Sequence, residues 1–150
     1  MDNFFAAQQA IVDRIKAKIP SFAKVSPRAD LEQIEEIEQT TPAAYVVYAG
    51  YTVIEATNDG RMVTVEQRWT VVTTCRNAAT QRTGQAVREE AGPFMMDVLN
   101  ALSGWQITPE HTPLLLTDAP QGGEPGYSKV FGYYPLQFKT QFTLTITPTP

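Results

Sequence analysis

His111 and Cys75 are the single histidine and the single cysteine of this 150-residue chain, and their scarcity limits the chemistry before any element is placed. A tetrahedral zinc site draws on several imidazoles and thiolates, so none of the usual kind can be assembled within one chain. A nucleophilic triad could be drawn from Ser128 or Ser103 with His111 and Asp118. It would lack the elbow that presents a catalytic serine, and all four residues fall at loop positions. The adjacent carboxylates Glu35 and Glu36, like Glu89 and Glu90, would point in different directions on a helix and do not form an acid–base pair. Tyr48, Tyr51, Tyr133, Tyr134 and Trp69 offer faces for stacking on bases or sugars, but without interleaved Arg and Lys they read as core or protein interface. Ala119 to Gly126 is rich in Gly and Pro, yet an extended segment follows it, whereas a phosphate cradle opens a helix. No catalytic residue, cofactor site or metal site is expected.

The elements explain what the residues do instead. Met62 to Asn77 alternates with period two: Val63, Val65, Trp69, Val71 and Cys75 share one side, and Thr64, Glu66, Arg68, Thr70, Thr74 and Arg76 share the other. At about 3.3 Å per residue this strand spans on the order of 45 Å, more than twice the usual length, so part of it should project past the core of a small domain. Tyr51 to Ala56 precedes it, and Asn58-Asp59-Gly60 supplies turn chemistry, which predicts a hairpin over 51–57 and 61–76. Ala43 to Tyr48 reads as a separate inner strand punctuated by Gly50. A second long alternation starts at Tyr134, with Leu136, Phe138, Phe142, Leu144 and Ile146 on one face.

Two amphipathic helices frame these strands. One runs from Asp2 to Ile19 and is stopped by Pro20, and the other follows Val87, Ala91, Phe94, Met95, Val98, Leu99 and Leu102 to a stop at Gly104. Gly92-Pro93 should kink the second or break it in two. Phe22 to Val25 is a short strand, Ser26-Pro27 reads as the cap and first turn of a helix, and Leu31, Ile34 and Ile37 continue as a short acidic helix. A short apolar strand covers 114–117. The elements predict an α+β fold over residues 1–150 as a single domain: a mixed, mainly antiparallel sheet with a long β-hairpin, packed against two amphipathic helices.

Composition bounds the partners. With 43% hydrophobic and 19% charged residues the chain can bury a core. A net charge of −4 without any block of Lys or Arg argues against a surface that grips DNA. The first residues lack the basic region and apolar block of a signal peptide, so a reducing cytoplasm is expected, with Cys75 as a small buried hydrophobe. Over-length strands, an exposed hairpin and no convergent reactive groups point to assembly, because an open strand edge must be covered and cyclic assembly is one way to cover it.

Several strings share an order with a known family. These are Ile15-Lys16-Ala17-Lys18-Ile19-Pro20, then Pro42 to Tyr51, then Gln67 to Val72 with Arg76-Asn77, then Ala91-Gly92-Pro93, Ala101 to Trp105, and Gly132 to Leu136. In this order the chain resembles the tail terminator (tail completion) proteins of long-tailed bacteriophages, most of all their Mu-like branch. The resemblance implies a structural virion protein, assembled in the host cytoplasm, whose hexameric ring caps the head-proximal end of the tail tube and stops its polymerisation. Its partners would be copies of itself, the tail tube protein, a head-completion or neck protein and, as a further candidate, the tail sheath protein. DNA would meet it only in passage through the lumen, and no membrane would be involved. Glu66, Arg68, Arg76, Arg82, Gln121, Glu124 and Tyr127, on the hairpin, the 78–84 connection and the 119–127 loop, are the expected ring and tube contacts. The alternatives are another head–tail neck or completion protein, or a small-molecule-binding α+β domain or enzyme with a pocket between the second helix and the sheet.

Overall fold

The computed structural model describes residues 1–28, 40–76, 84–118, 126–127 and 131–150; for 84–87, 126, 127 and 131 the backbone alone is described. In chain order the elements are α1 (Ala6–Lys18), β1 (Lys24–Arg28), β2 (Ala43–Ala56), β3 (Met62–Arg76), α2 (Gly84–Leu102), β4 (Leu115–Thr117), β5 (Gly126–Tyr127) and β6 (Phe131–Thr145). The strands form one sheet in the order β1-β2-β3-β6-β4, with β5 also on β6. The β1–β2 pair is parallel and every other pair is antiparallel. The fold is therefore α+β, with a mixed and mostly antiparallel sheet and, among the described residues, two helices, as its periodicities predict.

The alternation along β3 decides where the core lies. Val65, Gln67, Trp69, Val71, Thr73 and Cys75 are buried on one face. The register sets Trp69 between Tyr48 of β2 and Phe138 of β6, and Val71 between Val46 and Leu136. The helices close over this face. Ala7, Ile11, Val12 and Ile15 of α1 join Val98, Ala101 and Leu102 of α2 in one apolar cluster with Ala44, Val46, Trp69, Val71 and Phe138. Arg14 ties the two helices, donating through Nε to the Ala101 carbonyl at 2.9 Å with its guanidinium over the Trp105 ring.

Three local readings change, and a fourth is not described. Ser26 and Pro27 lie within β1, where a helix start was expected, paired in register with Tyr45 and Val46. As the outermost strand, β1 tolerates the N–H that Pro27 lacks. The acidic helix expected around Leu31, Ile34 and Ile37 lies outside the described residues. The strand 43–48 and the stretch 51–56 are one strand, β2, in which a register shift between Tyr48 and Tyr51 absorbs an extra residue. Gly50 makes that shift, at φ 98°, a conformation side chains with a Cβ rarely adopt. Finally, α2 runs through Pro93 as one helix. Its buried residues, Ala91 before the proline and Val98 and Leu102 after it, hold both halves on the sheet, and packing of this kind outweighs the roughly 3 kcal/mol that an interior proline costs.

The proline in β6 is placed differently. Pro135 falls between the stretch paired to β5 (Gly132, Tyr133) and the stretch paired to β4 (Gln137 to Lys139), where no described strand calls for the missing donor.

Candidate functional site

The two groups best suited to chemistry are built into the core. His111 is 2% exposed, with Nδ1 2.7 Å from the Thr108 hydroxyl and its ring edge-on to Phe142 at 5.2 Å. Burial lowers its pKa below the ordinary 6.5, against a smaller opposite pull from Glu110. The folded protein thus resists a proton that the unfolded chain accepts. The contribution of His111 to stability is intact above about pH 6.5 and is lost as pH falls below it towards the folded pKa. Urea unfolding between pH 5 and 7 should show this slope, and His111→Gln should flatten it.

Cys75 is fully buried, and desolvation, reinforced by Glu90, pushes its thiol up to about 11. With so little thiolate at pH 8, the native protein should react with an aromatic disulfide reagent at least about a hundredfold more slowly than the chain in urea. Among the described residues no group of three His, Cys, Asp or Glu side chains could hold a metal ion. No helix of the described residues is long and apolar enough to cross a membrane.

The aromatic pocket that an α+β binder would need is packed. Trp69 is fully buried, with Nε1 donating to Gln67 Oε1 at 3.0 Å; Phe94 stacks on Phe22 at 4.9 Å; and Trp105 lies under Arg14. An open cleft of about 470 Å³ sits between the end of α1 and α2, lined by Arg14, Lys18, Asp97 and Asn100, and it includes none of these rings.

What remains exposed is an arm. Beyond Gln67 the sheet narrows to β2, β3 and β6, and residues 51–56 of β2 are all exposed. The hairpin is closed by Thr57 to Gly60: Thr57 N–H donates to the Met62 carbonyl, Thr57 Oγ1 to Asp59 Oδ1 at 2.7 Å, and Gly60 takes φ 72°. The arm therefore forms at the predicted turn. Its root is clamped: Gln67, fully buried on the apolar face, donates through Nε2 to the Phe4 carbonyl, and the Phe4 ring meets Tyr51 and Phe142 edge-on at 5.6 Å.

The arm has two unlike faces. The register puts Tyr51, Val53, Ala56, Val63, Val65, Phe142 and Leu144 on the continuation of the core face, and Thr52, Glu55, Thr64, Glu66, Arg68, Lys139, Gln141 and Thr143 on the other. On the polar face Arg68 reaches Glu66 at 3.8 Å and Thr52 Oγ1 at 2.9 Å, Gln141 donates to Glu66, and the Thr64 and Thr143 hydroxyls bond across the strands at 2.8 Å. Tyr51, Val53, Ile54, Met62 and Ile146 each remain about half exposed.

Of the residues chosen from sequence, the structure brings together Glu66 and Arg68. Arg76 is exposed at the opposite end of β3, opposite Phe131 and about 26 Å along the strand from Arg68. Arg82, Gln121 and Glu124 lie outside the described residues, and Tyr127 is described through its backbone pairing with Gly132. Sequence reasoning passed over the exposed apolar set of the arm and Leu115 and Leu116 of β4. The signal was present, because apolar alternation that continues beyond the reach of the helices has nothing in the chain to cover it.

A family model described as phage tail terminator protein matches residues 1–149 of the chain. No curated protein matches it.

Proposed function

The chain belongs to the phage tail terminator family, a family of structural and assembly proteins of the phage tail, and from that premise we propose that it works as a ring seated on the head-proximal end of the tail tube. There it stops tube polymerisation and offers a docking surface to head-completion or neck proteins. A tube that grows by stacking rings needs each ring to present a template for the next. A ring complementary to the growing end on one side and different on the other removes that template.

The observation that supports this reading is the arm, a two-faced hairpin clamped at its root, with uncovered apolar side chains, on a protein whose His and Cys are buried. Such a patch marks a contact with another protein. Glu66, Arg68 and Arg76 are proposed among the ring and tube contacts, with Arg82, Gln121, Glu124 and Tyr127 assigned on sequence grounds. The net charge of −4 suits a lumen through which DNA passes without being held.

The test is growth of purified tail tube protein with and without substoichiometric amounts of this chain, followed by electron microscopy. Tubes should stop at a length set by the time of addition, with the protein labelling one end. Unchanged growth, or labelling along the tube wall, rules the reading out.

A further inference from the structure

The sheet ends in two margins that the described chain leaves open. β1 pairs with β2 along Ala43–Val47 only, so no described strand lies on the outer side of residues 51–56. At the other margin β4 pairs with β6 and no described strand lies beyond it; the Leu114 backbone, one residue before β4, is taken up by Gly104 and Trp105, which leaves Leu115–Thr117 as the open edge. Tyr51, Val53 and Ile54 line the first margin and Leu115 and Leu116 the second, each about half exposed. Open apolar edges of this kind aggregate unless something covers them.

Charge and strand direction indicate the cover. Lys139 lies directly opposite Arg68, a destabilising like-charge pairing. Glu66 answers Arg68, whereas Lys139 has no ion pair among the described residues. Lys139 sits one strand inside the β4 margin, in register with Leu115. At the other margin Glu55 is exposed on the same polar face, also without an ion pair among the described residues. On the polar face, Glu55 at one margin and Lys139 beside the other thus carry opposite charges. Every step from β2 through β3 and β6 to β4 is antiparallel, so β2 and β4 run in opposite directions. A copy related by rotation about an axis along the sheet keeps its strand directions and brings its β2 antiparallel to β4.

We propose that the two margins pair between copies: residues 51–56 of one copy add to β4 of the next. Leu116 then meets Tyr51 and Val53 on the apolar face, and Glu55 reaches across Leu115 to Lys139 on the polar face. The contact is heterologous, so it propagates by rotation and closes a ring. β4 is level with Trp69 through Phe138, while the open part of β2 is level with residues 63–67 of β3. That offset of roughly four residues is about 13 Å, against about 19 Å across four strands, and it inclines the strands by about 35°, within the range of closed sheets. The inference rests on the ring reading above and assigns its subunit interface.

Native mass spectrometry of the full chain, alone and with tube ends, tests it. The unaltered protein should form one closed oligomer. Val53→Asp and Leu116→Asp should each weaken association about thirtyfold or more, with circular dichroism and thermal midpoint unchanged because both side chains are half exposed. Mixed one to one, the two variants should form a dimer and nothing larger, because each retains one intact margin and only one intact contact can form between them. Glu55→Lys and Lys139→Glu should each weaken assembly, and the double exchange should restore it. Variants that assemble normally, or a mixture that yields no dimer, overturn the edge pairing and leave the ring reading standing. An unaltered protein that stays monomeric with and without tube ends overturns both.

Discussion

Trp69→Ala is expected to cost about 3–5 kcal/mol of stability, a large part of the roughly 5–15 kcal/mol that holds a domain of this size together. Three structural facts place the loss at the upper end for a core truncation. Trp69 is fully buried at the middle of the central strand, with Phe138 across one side and Tyr48, whose ring centroid is 5.2 Å away, across the other. It carries the only indole that shares a cluster with both helices from within the sheet. Its Nε1 also gives Gln67 Oε1 a partner, and the truncation leaves that buried oxygen unpaired. Trp69→Phe retains most of the volume and loses the hydrogen bond, so a cost nearer 1–3 kcal/mol is expected. Urea denaturation of the two variants separates packing from polarity. Equal losses would show that the indole N–H, and not the ring volume, dominates at this position.

Shortening the arm should have the opposite profile, with little effect on folding and a large one on assembly. Replacing residues 54–62 with Asn-Gly removes the turn and Ile54 and Met62 while leaving Gln67, its bond to Phe4 and the buried part of β3 in place. Because the excised side chains are exposed, the thermal midpoint should move by only a few degrees. In the tube-growth assay the shortened chain should need at least about tenfold more protein to arrest polymerisation, since removing an apolar anchor commonly costs more than 1 kcal/mol of binding. Arrest at the original concentration would show that the arm tip makes no contact that matters.

Much of the fold was legible because its strongest signals are local. The hairpin follows from alternation on both sides of Asn58-Asp59-Gly60, and the stripes of α1 and α2 follow from three- and four-residue steps. The failures share a non-local cause. Ser26-Pro27 carries the local mark of a helix start, and only its parallel pairing with Tyr45 and Val46, distant in sequence, makes it a strand. Pro93 is locally a breaker, yet α2 continues through it unbroken where it rests against the sheet. Gly50 ended a strand on paper, whereas in the fold it lets the strand continue past an extra residue.

For the candidate site, Glu66 and Arg68 were readable as neighbours on one face of one strand. Arg76 was grouped with them by the same alternation, which gives its face but not its distance: it sits at the far end of β3. Leu115 and Leu116 could not be recognised as a margin, because which strand ends a sheet is decided by pairings between distant segments.

The second register shift, between Val53 and Glu55, gives β2 one more residue than the strand it lies against near the tip of the arm. Together with the shift at Gly50 it makes one side of a ribbon longer than the other, which coils the ribbon in a fixed sense. A projection whose curvature is set by covalent length reaches its partner already shaped. It gives up little conformational entropy on docking, so more of the contact energy remains as affinity, and a mis-set curvature could not be corrected at the moment of binding.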